Sequence, residues 1–178
     1  MGLESMLVKG RECGDCTVCC TYLRIEERPV NKPQDEPCKH LCVQGCGIYE
    51  TRPSVCRNWF CGWRIMPQLD KEMRPDSSNV LISDFETGNE IKFSALTDPY
   101  VELMREDVLR YIAGAFNSGL KVFISFKVKD GHENIKLDIF SSSSYHQAHL
   151  SRQLHLVQEQ MKIAIDKGMT LTTNPILK

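Results

Sequence analysis

The chain has 178 residues, 42% of them hydrophobic, with a formal net charge of −1 and a pI near 6.5. That is enough apolar residue for one proper core and a small satellite unit. The near-neutral balance argues against a nucleic-acid partner, whose footprint is a basic face with a pI above about 9. No apolar run approaches the roughly 18 residues that mark a membrane span.

The cysteines come first along the chain. All nine lie between Cys13 and Cys61: the run Cys13-Gly14-Asp15-Cys16-Thr17-Val18-Cys19-Cys20, then Cys38, Cys42 and Cys46, then Cys56 and Cys61. The surrounding residues 1–65 have almost no periodic apolar pattern, so thiolates converging on one another or on a metal must replace a hydrophobic core there. The first residues lack a basic start followed by an apolar stretch of about 7–15 residues, so a secretory signal is not expected. A cytoplasmic location, where thiols stay reduced, follows from that. An odd cysteine count also pairs poorly into disulfides. Metal ligation is the first expectation and a disulfide framework the second. Pro29, Pro33 and Pro37 mark an irregular loop, Arg52-Pro53-Ser54 starts a short helix ahead of Cys56, and residues 66–78, with Pro67 and Pro75, read as a connector.

Beyond the connector the pattern becomes regular. Residues 79–83 and 90–96 are expected as strands joined around Glu86-Thr87-Gly88-Asn89. Asp98-Pro99 opens a helix whose apolar face is Val101, Met104, Val108, Ile112 and Ala115, with Asn117-Ser118-Gly119 as its stop. Val122, Ile124, Phe126 and Val128 alternate as a strand, and the turn at 130–134 leads into Ile135, Leu137 and Ile139 as a hairpin. A last helix over about 145–167 carries Leu150, Leu154, Val157, Met161, Ala164 and Ile165 and is ended by Gly168. The expected fold class is α+β: a cysteine-rich, metal-held N-terminal lobe over 1–65 with little regular structure, a connector at 66–78, and a domain over 79–178 made of a small antiparallel sheet with two helices.

In the cysteine run, Cys-x2-Cys aims two sulfurs inward from one tight turn, and the extension Cys13-x2-Cys16-x2-Cys19 matches the ferredoxin-type spacing for three corners of a [4Fe–4S] cube. The ferredoxin continuation x3-Cys-Pro is absent, so a fourth ligand must come from a later cysteine. Cys20 follows Cys19 directly, and neighbouring side chains diverge, so it serves a second centre or stands behind the first. The whole arrangement, with Pro37-Cys38-x-His40-Leu41, Gly45-Cys46-x-Ile48-Tyr49-x2-Arg52-Pro53-x2-Cys56-Arg57 and Cys61, closely resembles the bacterial CxxCxxCC (YkgJ-like) cysteine cluster family, described as a zinc- or iron-chelating domain. The likeness covers residues 11–64. It implies eight metal ligands, Cys13, Cys16, Cys19, Cys20, Cys38, Cys46, Cys56 and Cys61, and leaves Cys42 as an addition of this chain. Eight thiolates suit one or two centres, whether Zn2+ sites, a [4Fe–4S] cluster, or one of each.

Flagellin lysine N-methylases resemble this family in their cysteine cluster, which adds iron–sulfur methyl transfer or redox chemistry as an alternative to a non-catalytic centre for metal storage, delivery or structure. A third alternative is a zinc-shaped protein-interaction module, in which zinc only shapes a surface for a protein partner. No glycine-rich strand-to-helix fingerprint, P-loop or Ser/His/Asp motif supports an enzyme directly. Residues 1–64 hold nine Lys/Arg and eight Asp/Glu. Metal-bound thiolates would make that segment net negative, so Arg11, Arg52, Arg57 and Arg64 are expected as partners of thiolate charge rather than of phosphate. His40 is a candidate fourth ligand or a donor to a thiolate. His146 and His149 would share a helix face, as metal pairs do, although two helical histidines without a carboxylate are more often simply exposed. Trp59, Phe60 and Trp63 are expected to shield the centre from water.

Overall fold

The computed structural model describes residues 3–28, 30–83, 88–139 and 153–176. The chain divides into two compact units, one of Met1–Ser78 with Ile176–Lys178 and one of Asn79–Pro175. Among the described residues no helix is long and apolar enough to cross a membrane.

The first unit is built from very short elements. A 3-10 turn at Leu3–Met6 precedes α1 (Val18–Tyr22), and a two-stranded ribbon of β1 (Leu41–Cys42) and β2 (Gly45–Cys46) follows. Then come a 3-10 turn at Tyr49–Thr51, α2 (Ser54–Arg57), α3 (Gly62–Ile65), another 3-10 turn at Lys71–Met73, and α4 (Pro75–Ser78). Its buried apolar side chains are few: Val30, Phe60, Trp63, Ile65, Leu69 and Met73. Helices of four or five residues bury too little surface and close too few hydrogen bonds to stand alone, so this unit depends on side-chain anchors. Residues 66–78, whose prolines suggested a connector, contribute Leu69 and Met73 to that small core. Pro75 sits at the first position of α4, where its missing N–H costs nothing.

The second unit carries a four-stranded sheet in the order β3-β4-β5-β6, with β3 at Val80–Ser83, β4 at Glu90–Ala95, β5 at Lys121–Phe126 and β6 at Ile135–Asp138. The outer pairs are antiparallel, but β4 and β5 are parallel. The expectation of a purely antiparallel sheet is corrected here. Between β4 and β5 the chain passes through α5 (Pro99–Glu102) and α6 (Glu106–Asn117), and a strand that returns to its neighbour through a helix runs parallel to it.

The single helix expected from Asp98 is two helices. Asp98 caps α5, its carboxylate accepting from the Tyr100 N–H at 2.8 Å, with Pro99 at the first helical position. The chain then leaves the helical region at Arg105 (φ −62°, ψ 140°). The buried Glu102 accepts from Thr97 at 2.8 Å and Asn79 at 3.2 Å, and Arg105 pairs with both Glu102 and Asp107. This polar knot resets the helical phase. Val101 is left 57% exposed, while Leu103, Val108, Leu109, Ile112 and Ala113 are buried.

The last helix, α7, is described over Leu154–Met169. Val157, Met161, Ile165 and Gly168 form its buried stripe, and Tyr100 on α5 donates to Asp166 at 2.6 Å. Its expected beginning near residue 145, with Leu150, lies outside the described residues. Gly168 does not end this helix, which runs on to a cap at Thr170. Its role is close approach: a Cβ there would lie 2.4 Å from Cδ1 of Ile135 and 2.5 Å from Cζ of Phe126. Gly168→Ala is therefore expected to destabilise the chain by about 1–3 kcal/mol through overpacking, although alanine is the better helix former. Denaturant unfolding measures this, and a variant as stable as the parent would refute the packing role.

Candidate functional site

The site is assembled in the first unit from segments far apart in sequence. Cys13 and Cys16 bracket a tight turn closed by the Cys16 N–H donating to the Cys13 carbonyl at 2.9 Å. Cys19 and Cys20 are consecutive on α1, so their side chains leave the axis roughly 100° apart. The backbone N–H of Cys38 donates to the Cys20 carbonyl at 2.9 Å, which fixes the loop beside that helix. Cys46 lies on the β1–β2 ribbon, Cys56 on α2, and Cys61 at the N-cap of α3. Gly45 turns the ribbon at φ +108°, and a Cβ there would stand 3.0 Å from the Gly14 carbonyl oxygen. Only glycine lets the ribbon come that close to the Cys13–Cys16 turn.

All nine cysteines are free thiols; eight are half-buried and Cys42 is exposed. The Cys42 Sγ donates to the Gly45 carbonyl at 3.3 Å, within its own hairpin. Among the described residues, no group of three or more His, Cys, Asp or Glu side chains is arranged to hold a metal ion as it stands.

The thiols nevertheless act on one another. Burial pushes Cys61 up to about 11, with Cys13 and Cys16 adding to the rise. Burial also raises Cys16. Cys56 rises through burial and then through Cys20, Cys38 and Cys46. Cys19 is raised well above its ordinary value, first by its hydrogen bond to Cys20, then by burial and by Cys20, Cys13 and Cys16 nearby. That hydrogen bond lowers Cys20 to about 7; burial opposes it, and Lys32 and Arg52 assist it.

Cations accompany the sulfurs. Arg64 donates from Nη1 to the Sγ of Cys13 at 3.2 Å. Arg52 stacks on the Tyr49 ring at 3.8 Å while acting on Cys20 and Cys56. These two arginines act on thiols as expected, and Arg57 is exposed. Arg11 is the correction: its guanidinium donates to the carbonyls of Trp63 at 2.6 Å, Met66 at 3.0 Å and Leu69 at 2.6 Å, and lies over the Trp63 ring at 5.3 Å. Short helices leave carbonyls without partners at their C-terminal ends, and a forked five-donor group beside α3 satisfies several at once.

Lys32 escaped the sequence reading altogether. It is only 7% exposed, its Nζ donating to the carbonyls of Thr21, Pro33 and Glu36 at 2.9, 3.0 and 2.9 Å. Burial lowers its pKa, opposed by Cys38 and Cys20. Nothing in the local sequence marks it, because its burial comes from the Ile25–Lys32 bridge that folds the loop back on itself.

Phe60 and Trp63 are buried and Trp59 is half-buried. His40 Nε2, Arg52 Nε, Trp63 Nε1 and Arg64 Nε are buried without a hydrogen-bond partner. Buried N–H donors left unpaired are costly, and Arg74 Nε is another in the same unit. His155 is exposed, while His146 and His149 lie outside the described residues. Comparison of the chain with protein-family models, with curated proteins and with solved structures gave no match.

Two outcomes follow from this geometry. Arg11→Ala strands several carbonyls, so the first unit is expected to lose about 2–3 kcal/mol. Arg11→Lys is expected to recover only part of it, because an ammonium cannot span three carbonyls. Urea unfolding read by intrinsic fluorescence of Trp59 and Trp63 measures both, and an unchanged Arg11→Ala midpoint would remove the anchor role. Cys20 apart, whose lowered pKa favours the reactive thiolate, Cys42 is expected to be the first thiol alkylated under native conditions, because it is the exposed one; peptide mass spectrometry maps this. Faster labelling of any of the other seven would contradict its separation from the cluster.

Proposed function

We propose that the first unit is a thiolate metal centre, holding zinc or an iron–sulfur cluster through Cys13, Cys16, Cys19, Cys20, Cys38, Cys46, Cys56 and Cys61, with a non-catalytic role in metal storage, delivery or structure. The observation that best supports this reading is the mutual influence of thiols distant in sequence: Cys61 with Cys13 and Cys16, and Cys56 with Cys20, Cys38 and Cys46. A scatter of structural thiols has no reason to gather in this way, and packing alone would be served as well by alanine or valine.

The donor set fits the group on three counts. Sulfur is the ligand preferred by zinc and by iron–sulfur clusters. Fixed cations at Arg64, Arg52 and Lys32 stand where thiolate charge would develop. The unpaired buried N–H groups of Arg52, Trp63 and Arg64 are donors for which charged sulfur is a natural acceptor. When bound, zinc would cross-link the segments, and a cluster would add one-electron redox chemistry. The chain's own residues hold the segments at α1, the ribbon, α2 and α3, keep water out with Phe60 and Trp63, and balance charge. Thiols that are to ligate metal must stay reduced, which a cytoplasmic setting provides. The resemblance of residues 11–64 to the CxxCxxCC family rests on cysteine spacing and the residues between, and it favours the same reading.

The full chain, purified without oxygen and analysed for zinc, iron and acid-labile sulfide, is expected to carry one of these groups. Removal of the metal by a chelator under reducing conditions should open residues 11–64 to protease while residues 88–139 stay protected, because the small apolar core of the first unit is insufficient alone. Metal-free protein as resistant as loaded protein in residues 11–64 would overturn the proposal.

A further inference from the structure

We infer that Cys20 and Cys38 are a reversible dithiol–disulfide pair, closed by a low-molecular-weight disulfide such as oxidised glutathione, and that closure withdraws two sulfurs from the thiolate centre. The withdrawal rests on the centre proposed above; the pairing rests on backbone geometry alone.

The Cys38 N–H donates to the Cys20 carbonyl at 2.9 Å. With Cα–C, C=O and N–Cα bonds of about 1.5, 1.2 and 1.5 Å around it, such a bond holds the two Cα atoms within about 6 Å of each other. That lies inside the span of roughly 4.4–6.8 Å that a disulfide needs. The same two segments are tied again on either side. The Asp35 N–H donates to the Tyr22 carbonyl at 3.4 Å, and Lys32 Nζ donates to the carbonyls of Thr21 and Glu36, both at 2.9 Å. The Ile25–Lys32 bridge folds the intervening loop back so that these contacts form. Both cysteines are free thiols, half-buried and so within reach of solvent.

Other pairings fit less well. Consecutive Cα atoms stand about 3.8 Å apart, below the disulfide span, so Cys19 cannot close on Cys20 while α1 keeps its form. Cys13 and Cys16 meet the same limit across their turn, but the Cys13 sulfur accepts from Arg64 Nη1 at 3.2 Å, a contact that a disulfide would give up. In the exchange, the Cys20 thiolate attacks one sulfur of oxidised glutathione and expels a glutathione thiolate. The Cys38 thiolate then attacks the Cys20 sulfur of that mixed disulfide and expels the second. Two cysteine thiols are oxidised, one glutathione disulfide is reduced, and the two cysteine protons end on the two glutathione thiols. Lys32, fixed by three carbonyls, stands between the two segments as a cation that favours the attacking thiolate. Because the thiolate is the metal ligand, a closed pair and a metal held through Cys20 and Cys38 exclude each other.

The test equilibrates the full chain, stripped of metal, in mixtures of reduced and oxidised glutathione. Free thiols are then alkylated and the chain is cut with trypsin, which leaves Cys38 as the single cysteine of its peptide. As the oxidised fraction rises, mass spectrometry should show that peptide linked to Cys20, with loss of Cys38 labelling, and reduced glutathione should restore the labelling. The pair is overturned if Cys38 stays alkylatable while other thiols oxidise, links to a cysteine other than Cys20, or fails to return on reduction. In Cys38→Ser, Cys20 should be recovered instead as its mixed disulfide with glutathione; the reading on the unmutated chain stands whether or not that variant folds. A second series starts from the chain incubated with Zn2+ and reads bound zinc by elemental analysis. Closure of the pair should release bound zinc, and zinc retained by the closed form would overturn the withdrawal. A chain that closes the pair but binds no zinc would overturn the metal centre and leave the dithiol pair standing.

Discussion

The guanidinium of Arg11 gathers the carbonyls of Trp63, Met66 and Leu69, and much of the first unit depends on that grip. Its helices have four or five residues, too few to supply the packing energy that usually joins elements. Anchoring residue 11 to residues 63–69 sets α3 beside the Cys13–Cys16 turn, and from there Arg64 reaches the Cys13 sulfur. One side chain thus converts a separation of some fifty positions in sequence into a neighbourhood. Lys32 performs the matching service nearer α1, where its ammonium joins the Thr21 carbonyl of that helix to the Pro33 and Glu36 carbonyls of the loop beyond.

Lys32, unlike Arg11, is a cation set among thiols, as is Arg64, and this bears on charge. Cys16, Cys56 and Cys61 resist ionisation, since burial disfavours the charged form and neighbouring thiols compound the effect at Cys56 and Cys61. Cys20 runs the other way because Cys19 gives it a hydrogen bond, with Lys32 and Arg52 in support. Half-buried thiols, nearby cations and unpaired N–H donors lie together in the first unit. On the proposed reading a divalent ion or a cluster would bind there, with release of the thiol protons.

The second unit is held by more ordinary means. Its sheet is covered by α6 and α7, and α7 comes close through Gly168, where Ile135 and Phe126 occupy the room a side chain would need. Glu102 is a second departure from a purely apolar interior, a buried carboxylate satisfied by Thr97 and Asn79 with Arg105 at hand. That knot breaks the helix between α5 and α6 and decides which residues face the core.

Periodicity alone located the strands at Val80–Ser83, Glu90–Ala95 and Lys121–Phe126, the Asp98 cap and the body of α7, because apolar alternation and capping chemistry are local properties. The cysteine spacing marked residues 1–65 as the cysteine-rich part of the chain, since thiol density is visible without coordinates, and the family resemblance left Cys42 apart. The parallel pairing of β4 and β5 was implicit in the helix between them, yet the pairing of strands is a long-range choice that alternation does not specify. What each arginine does, whether it grips carbonyls like Arg11 or a sulfur like Arg64, depends on which segments lie beside it. The burial of Lys32, the close approach at Gly168 and the thiol neighbours of Cys56 and Cys61 are likewise facts of tertiary contact. They join residues whose separation along the chain carries no local signal, so only the folded backbone could decide them.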